Sequence, residues 1–451
     1  MIRRIDFHQP GGPAALQQFQ AELSNSGQVV SPRSQALTRQ VFGADLTPIQ
    51  VVERICGEVK QRGQAAVFDY TQRFDGVTLT PQTLRVSEAE LVAAHAQADP
   101  GLLETVRRIR ANVLAYQTHI LHRDTSLPVE GGLLQLRYRP VRRVGVLVPG
   151  GAAAYPSTLL MTIVPAQAAG VRELAVVMPP GPHGAGNPVL LAVCQELGAR
   201  EIYRIGGAQA VAALAYGIDG LAAVDMIVGP GNLFVALAKR HVYGQVAIDC
   251  IAGPSEVVVL ADDTARPEFL AADLLAQAEH SPGCSIMVTW HAPLLDAVAA
   301  ELDRQLAQLS RAEWTRDALA QFGAFVLTRN QAEAVAVVNQ LAPEHLEICT
   351  ADPEGIVAQI DHAGAIFLGP YSPVAVGDYA AGPSHVLPTG ATARFASGLS
   401  ANEFLRRSSV IRFDREGLAR LAADVERLAK LEGLTAHAAS VTCRFGKGGE
   451  T

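Results

Sequence analysis

Apolar residues recur at helical intervals through the first third of the chain. Between Thr47 and Phe74, a stripe of Val51, Val52, Ile55, Val59 and Val67 follows the helical period and predicts helix. Ser87, with Glu90 three positions on, has the form of a capping pair and opens a second helix. A third covers about 101 to 122. Ahead of them, residues 1 to about 45 are mixed and polar, with Pro10-Gly11-Gly12 and Ser31-Pro32-Arg33-Ser34, and read as an N-terminal arm carrying one helix.

From Arg143 the pattern changes to short β-branched runs separated by Ala-rich helical stretches. Strands are predicted at 144–148, 174–178, 202–205, 226–228, 246–251 and 257–261, then at 286–290, 324–328, 346–349 and 365–368. Such alternation is the signature of parallel sheets wrapped by helices. After about residue 395 the chain returns to helix, at 402–408 and 415–431, and ends in a short strand. There is no internal repeat and no low-complexity tract.

Composition narrows the class. At 451 residues, with 49% hydrophobic and 18% charged, the chain reads as a well-buried globular protein of two to four domains. A net charge of −7 and a pI near 6.0 argue against nucleic-acid binding as the main task. Arg142-Arg143 and Arg406-Arg407 are short enough to be solvated or paired. The six cysteines form no C-x-x-C pair, which points to a reducing compartment. Met1-Ile2-Arg3-Arg4 is followed by no apolar stretch of a signal peptide, and Gly, Pro or charges interrupt every long apolar run. The expectation is a soluble cytoplasmic protein with no membrane partner.

Candidate chemistry sits at the ends of the predicted elements. Pro149-Gly150-Gly151, Gly206-Gly207-Ala208-Gln209 and Gly229-Pro230-Gly231-Asn232 each follow a strand and open onto a helix, where backbone N–H groups could receive a phosphate. None carries the GxGxxG fingerprint, since Phe234 stands where the third glycine belongs. Gln277-Ala278-Glu279-His280 closes a helical run, so Gln277 and His280 share one face of its end. Glu344 and His345 pair a carboxylate with an imidazole just before a strand, a combination suited to proton transfer. Asp378 is expected in a Gly/Pro-rich loop, and Glu432 and His437 flank a helix end stopped by Gly433. Singly, each has an ordinary reading as a cap, an Asx turn or a solvated charge. Together, Gln277, His280, Asp378 and His437 supply an N/O ligand set suited to zinc or a similar divalent ion.

Arg143-Val144-Gly145, Ala252-Gly253-Pro254-Ser255-Glu256, Pro343-Glu344-His345-Leu346-Glu347 and Gly377-Asp378-Tyr379 join the segments above in an order and spacing that resembles the histidinol dehydrogenase family, from about residue 45 to the C-terminus. The resemblance implies an α/β fold: two Rossmann-like parallel-sheet domains, incomplete for want of GxGxxG, with small N- and C-terminal helical extensions. Its division would be an arm at 1–45, a larger domain at 46–142 with 257–398 carrying metal and catalytic residues, an inserted domain at 143–256 with the NAD-contact turns, and a C-terminal segment at 399–451.

The implied activity is zinc-dependent oxidation of L-histidinol to L-histidine through L-histidinal with two NAD+, in the last steps of histidine biosynthesis. By the same resemblance Gln277, His280, Asp378 and His437 would hold one zinc per subunit and, with Ser255, Glu432 and His345, contact the substrate. His345 would act as the base and Glu344 would activate water. Gln209 and Asn232 match NAD-contact positions, and so does Leu147, where the family commonly has a tyrosine. Leucine can pack against the cofactor but cannot donate a hydrogen bond. The family's homodimer would bring Glu432 and His437 into the partner's site. The alternatives are a related zinc- and NAD-dependent dehydrogenase of another small polar diol or amino alcohol, and a non-catalytic homologue.

Overall fold

The computed structural model describes residues 2–26, 32–150, 153–251, 253–280 and 283–446. The chain divides into two units, Met1–Ile120 with Val141–Phe404, and Leu121–Pro140 with Leu405–Thr451.

The first unit is built on two parallel sheets. Six strands run in the order Arg3–Asp6, Gly323–Leu327, Gly283–Thr289, Ser255–Ala261, His345–Cys349 and Ala365–Leu368. Val257, Val259 and Ala261 point to one face, against Leu270, Leu274 and Leu275 of the helix Pro267–Ala278. Val258 and Leu260 point to the other, against Leu16 and Phe19 and the helix Gln331–Leu341. Both faces are covered, so these strands read as unbroken apolar runs. The edge strand Arg3–Asp6 and the helices Gly12–Ser26 and Pro32–Phe42 replace the expected single-helix arm. Arg3-Arg4-Ile5-Asp6 has no strand signature of its own; pairing with 324–327 makes it a strand.

The second parallel sheet has the order Glu201–Tyr203, Glu173–Val177, Arg143–Leu147, Met226–Val228 and Ala247–Ile248. Its Leu147, Val177, Tyr203 and Ile227 pack with the apolar stripe of the helices Pro48–Arg62 and Gln64–Asp75. The predicted cap at Ser87 is present: its hydroxyl accepts from Glu90 N at 3.3 Å, and Glu90 Oε2 accepts from Ser87 N at 2.9 Å. Arg143 is buried and paired with Glu201 and Glu173.

The second unit is a three-stranded antiparallel sheet, Leu405–Phe413, Gly132–Pro140 and Thr125–Val129, with the helices Arg415–Leu431 and Thr435–Thr442. Two expectations fail here. The segment 402–408, expected to be helical, enters the strand Leu405–Phe413 after a short 3-10 turn, because its partner lies some 270 residues earlier in sequence. The expected terminal strand is instead the helix Thr435–Thr442, whose β-branched Thr442 bonds back to Ala438 O at 3.3 Å. No helix of the described residues is long and apolar enough to cross a membrane.

Candidate active site

The carboxyl ends of the five-stranded sheet form one side of a cavity of about 360 Å3, where open α/β sheets commonly bind ligands. Leu147, Gln209 and Asn232 line it, with Gly150, Gly206, Gly207 and Gly231 from the glycine turns. Leu147 is the last residue of its strand and Gln209 lies in the first turn of the helix Gly207–Tyr216. Asn232 caps the helix Leu233–Val242, accepting from Val235 N at 3.1 Å, so its NH2 group is free of that role. Gly229 has φ +109, and a Cβ there would meet Leu147 O at 2.3 Å. Only glycine permits that approach. The turn is pinned from beneath by Lys239, whose Nζ donates to Gly229 O at 3.0 Å, and by Asp249, which accepts from Gly229 N at 2.7 Å.

A second cavity, of about 300 Å3, lies at the amino ends of the six-stranded sheet and shares Pro149, Pro230 and Gly231 with the first. Ser255, His280, Glu344, His345, Asp378 and His385 line it. Ser255 and His345 are the first residues of adjacent strands, and His345 pairs in register with Val257. Ser255 Oγ donates to Glu344 Oε2 at 2.7 Å, and Glu256 N donates to the same oxygen at 2.8 Å. His345 Nδ1 lies 3.0 Å from Glu256 O. A carbonyl only accepts, so Nδ1 carries a proton, and in the neutral ring the lone pair falls on Nε2. That Nε2 is buried without a hydrogen-bond partner, 3.5 Å from Asp378 Oδ1. Asp378 sits in the short helix Val374–Tyr379, not in the expected loop, and its carbonyl meets His385 Nδ1 at 3.0 Å.

The charges in this cavity are strongly coupled. Burial disfavours an imidazolium at His345, but Glu344 and Asp378 on either side outweigh it and lift its pKa to about 9. Burial pushes Glu344 up, partly offset by His345, Ser255 and the Glu256 amide. Glu256 rises to about 7 through burial and the neighbouring Glu344. Burial works the other way at Asp378, yet its contacts with His345, and the nearby His385 and His280, hold it below the usual carboxylate range. Burial lowers both His280 and His385 despite Asp378.

Gln277 ends the helix Pro267–Ala278, and His280 follows just past it, its N–H bonded to Gln277 O at 3.2 Å. Gln277 is buried and its side-chain Nε2 has no hydrogen-bond partner among the described residues, so its amide is not committed to a structural bond through that nitrogen. Among the described residues no three His, Cys, Asp or Glu side chains meet as a metal-holding group. The first unit offers one amide, one imidazole and one carboxylate: a donor set of the right chemistry for zinc, but short of four ligands. Glu432 and His437 belong to the second unit. Both are exposed, Glu432 at the end of the helix Arg415–Leu431 and His437 in the first turn of Thr435–Thr442. Gly151, Ala252, Ser281 and Pro282, from the motifs quoted above, lie outside the described residues.

Sequence reasoning gave no role to Glu256, His385, Lys239 or Asp249. Lys239 carried a readable signal, a charge inside the apolar helix Leu233–Val242, and it is only 2% exposed. Glu256 carried another, a charge opening the apolar strand Ser255–Ala261.

Residues 43–445 match the family model described as histidinol dehydrogenase. The chain is 57% identical over 447 residues to the histidinol dehydrogenase of Rhodopirellula baltica, covering 98% of this chain and 97% of that one. With the Geobacillus kaustophilus histidinol dehydrogenase it shares 50% over 396 residues, 87% of this chain and 93% of that one. The crystal structure of histidinol dehydrogenase from Elizabethkingia anophelis is similar at a TM-score of 0.86 and 32% identity, covering 98% of each chain.

Proposed function

The chain belongs to the histidinol dehydrogenase family (EC 1.1.1.23), and from that premise we propose that it oxidises L-histidinol to L-histidine through L-histidinal, with zinc and two successive NAD+, in the closing steps of histidine biosynthesis. The observation that carries this reading is the junction of two cavities at Pro149, Pro230 and Gly231, one walled by glycine turns and the other by His345, Glu344 and candidate metal ligands. A dinucleotide in the first would present its ring to a substrate in the second.

Gln277, His280 and Asp378, with His437 of the partner subunit, would hold the zinc. Bound there, the metal would supply the charge that orients the substrate's imidazole and amino nitrogens. NAD+ would supply the hydride acceptor. His345 lines the cavity with Nε2 unpartnered, and in its neutral form, reached as pH rises towards about 9, it would take the hydroxyl proton there as the carbinol hydride leaves. Glu344 is held at Oε2 by Ser255 and Glu256 N, which leaves Oε1 to take a proton from water attacking the aldehyde. The resulting hydrate would lose a hydroxyl proton to His345, once that base has released the first, and its carbon-bound hydride to the second NAD+, leaving the acid. Glu432 of the partner subunit would meet the substrate ammonium.

A homodimer is supported by the helix Arg415–Leu431, where Leu421, Val425, Leu428 and Leu431 recur at helical spacing and are 39–79% exposed. A second copy is the occupant that explains why such a stripe ends beside Glu432 and His437.

The test is NADH formation from L-histidinol by the purified enzyme, before and after chelation and zinc reloading. Two NADH per histidinol, lost with the metal and regained with it, are expected. No turnover after reloading, with zinc bound and the protein folded, rejects the assignment.

A further inference from the structure

The cavity along the five-stranded sheet has two ends. One, at Pro149, Pro230 and Gly231, opens to the catalytic residues. The other lies against the N-terminal helices, through Leu37, Val51, Ile55, Phe74 and Asp75. Resting on the NAD+ reading above, a dinucleotide whose nicotinamide reaches the catalytic end must place its adenosine at the far end.

Asp75 is the one charged side chain among the described residues lining this cavity. It makes no ion pair or hydrogen bond with another described residue, although four other aspartates of the first unit (Asp69, Asp225, Asp249 and Asp262) are engaged in such bonds. Its position is electrostatically poor. It is the last residue of the helix Gln64–Asp75, where the helix dipole disfavours an anion, and Gly76 closes the helix behind it with φ +70. Burial alone pushes its carboxyl up to about 6, with no cation to offset it. Folding does not account for a carboxylate placed there, whereas ligand recognition does.

An ionised carboxylate accepts hydrogen bonds and donates none, so it complements the vicinal hydroxyls of a ribose. A 2′-phosphate requires the opposite, a guanidinium or ammonium, and would meet like charge at Asp75. We infer that Asp75 is a specificity-determining residue, which binds the adenosine ribose hydroxyls of NAD+ and excludes NADP+. The glycine turns then serve the phosphates and nicotinamide, while the N-terminal helices read the sugar.

The test compares zinc-loaded wild type with Asp75→Asn and Asp75→Ala, in steady-state kinetics with L-histidinol and either NAD+ or NADP+, alongside Tm without nucleotide. Asp75→Asn should raise the KM for NAD+ about tenfold, the size of one lost charge-assisted hydrogen bond, with kcat within about twofold. The preference for NAD+ over NADP+ in kcat/KM should narrow by about tenfold or more. Because the native carboxylate is placed at electrostatic cost, Tm without nucleotide should stay level or rise, which separates recognition from a structural role. Unchanged KM and unchanged preference in both variants would overturn the inference while leaving NAD+ dependence intact. A wild type that reduces neither dinucleotide removes the NAD+ reading and this inference together.

Discussion

Replacing Lys239 with methionine tests how the turn between the two cavities is held. Lys239 and Asp249 form an ion pair with each side chain 2% exposed. Lys239 Nζ also donates to Gly229 O at 3.0 Å, while Asp249 accepts from Gly229 N and Cys250 N, each at 2.7 Å. One buried pair thus holds both backbone groups of Gly229. Methionine keeps much of the length but removes the charge and the donor, leaving Asp249 buried with only its two backbone bonds. Breaking such a pair from one side costs about 3–5 kcal/mol, because the remaining charge is uncompensated. With an unfolding entropy of about 2.1 cal/mol/K per residue, a unit of this size should lose roughly 4–6 °C in Tm. Pro230 and Gly231 wall both cavities, so a loosened Gly229 should also raise the KM for NAD+; about 1.4 kcal/mol of lost placement reads as tenfold. The double variant Lys239→Met/Asp249→Asn removes the orphaned charge and should regain stability without regaining KM. Calorimetry and steady-state kinetics on the three variants measure both effects. A Lys239→Met protein within about 1 °C of wild type, or a double variant whose costs simply add, would refute the reasoning.

Three further outcomes are expected. Gln277→Ala and His280→Ala should lose bound zinc, measured by atomic absorption, and activity together while circular dichroism stays native; full zinc retention in both would remove them as ligands. Mixing the inactive variants His345→Ala and His437→Ala under subunit exchange should restore activity through heterodimers with one intact hybrid site, and none despite demonstrated exchange would sink the trans arrangement. Glu196 accepts from Arg107 and meets His95, and Arg107 first, then His95, holds its carboxyl down at about 2. Its contribution is therefore present above about 4.5 and lost as pH falls towards 2, so the Tm gap between wild type and Glu196→Gln should be widest at neutral pH and close on acidification. A gap independent of pH would show that the carboxylate charge is irrelevant there.

Legibility followed locality. The parallel strands were readable because burial on both faces demands apolar runs, and the cap at Ser87 because both partners lie within one turn. Arg3–Asp6 and Leu405–Phe413 were not, since each is mainly polar and becomes a strand only by pairing with a segment over 250 residues away. In the site, Glu344 beside His345 was visible as an adjacent pair. The bond that assigns the His345 tautomer was hidden, because its acceptor is the carbonyl of Glu256 on a neighbouring strand.

Composition, period and turn residues by themselves determined an α/β protein, the inventory of its chemistry and the glycine turns that open its helices. They could not determine which of those groups meet. That was decided by sheet order and register. Alignment of His345 with Val257 brings the ends of two strands together, and a one-residue slip would turn the imidazole to the opposite face. The same tertiary packing sets the amino ends of one sheet against the carboxyl ends of the other, so that Pro149 and Pro230 wall a cofactor cavity and a catalytic cavity at once. Contacts between residues a hundred positions apart carry no local signature, which is why only the folded chain reveals them.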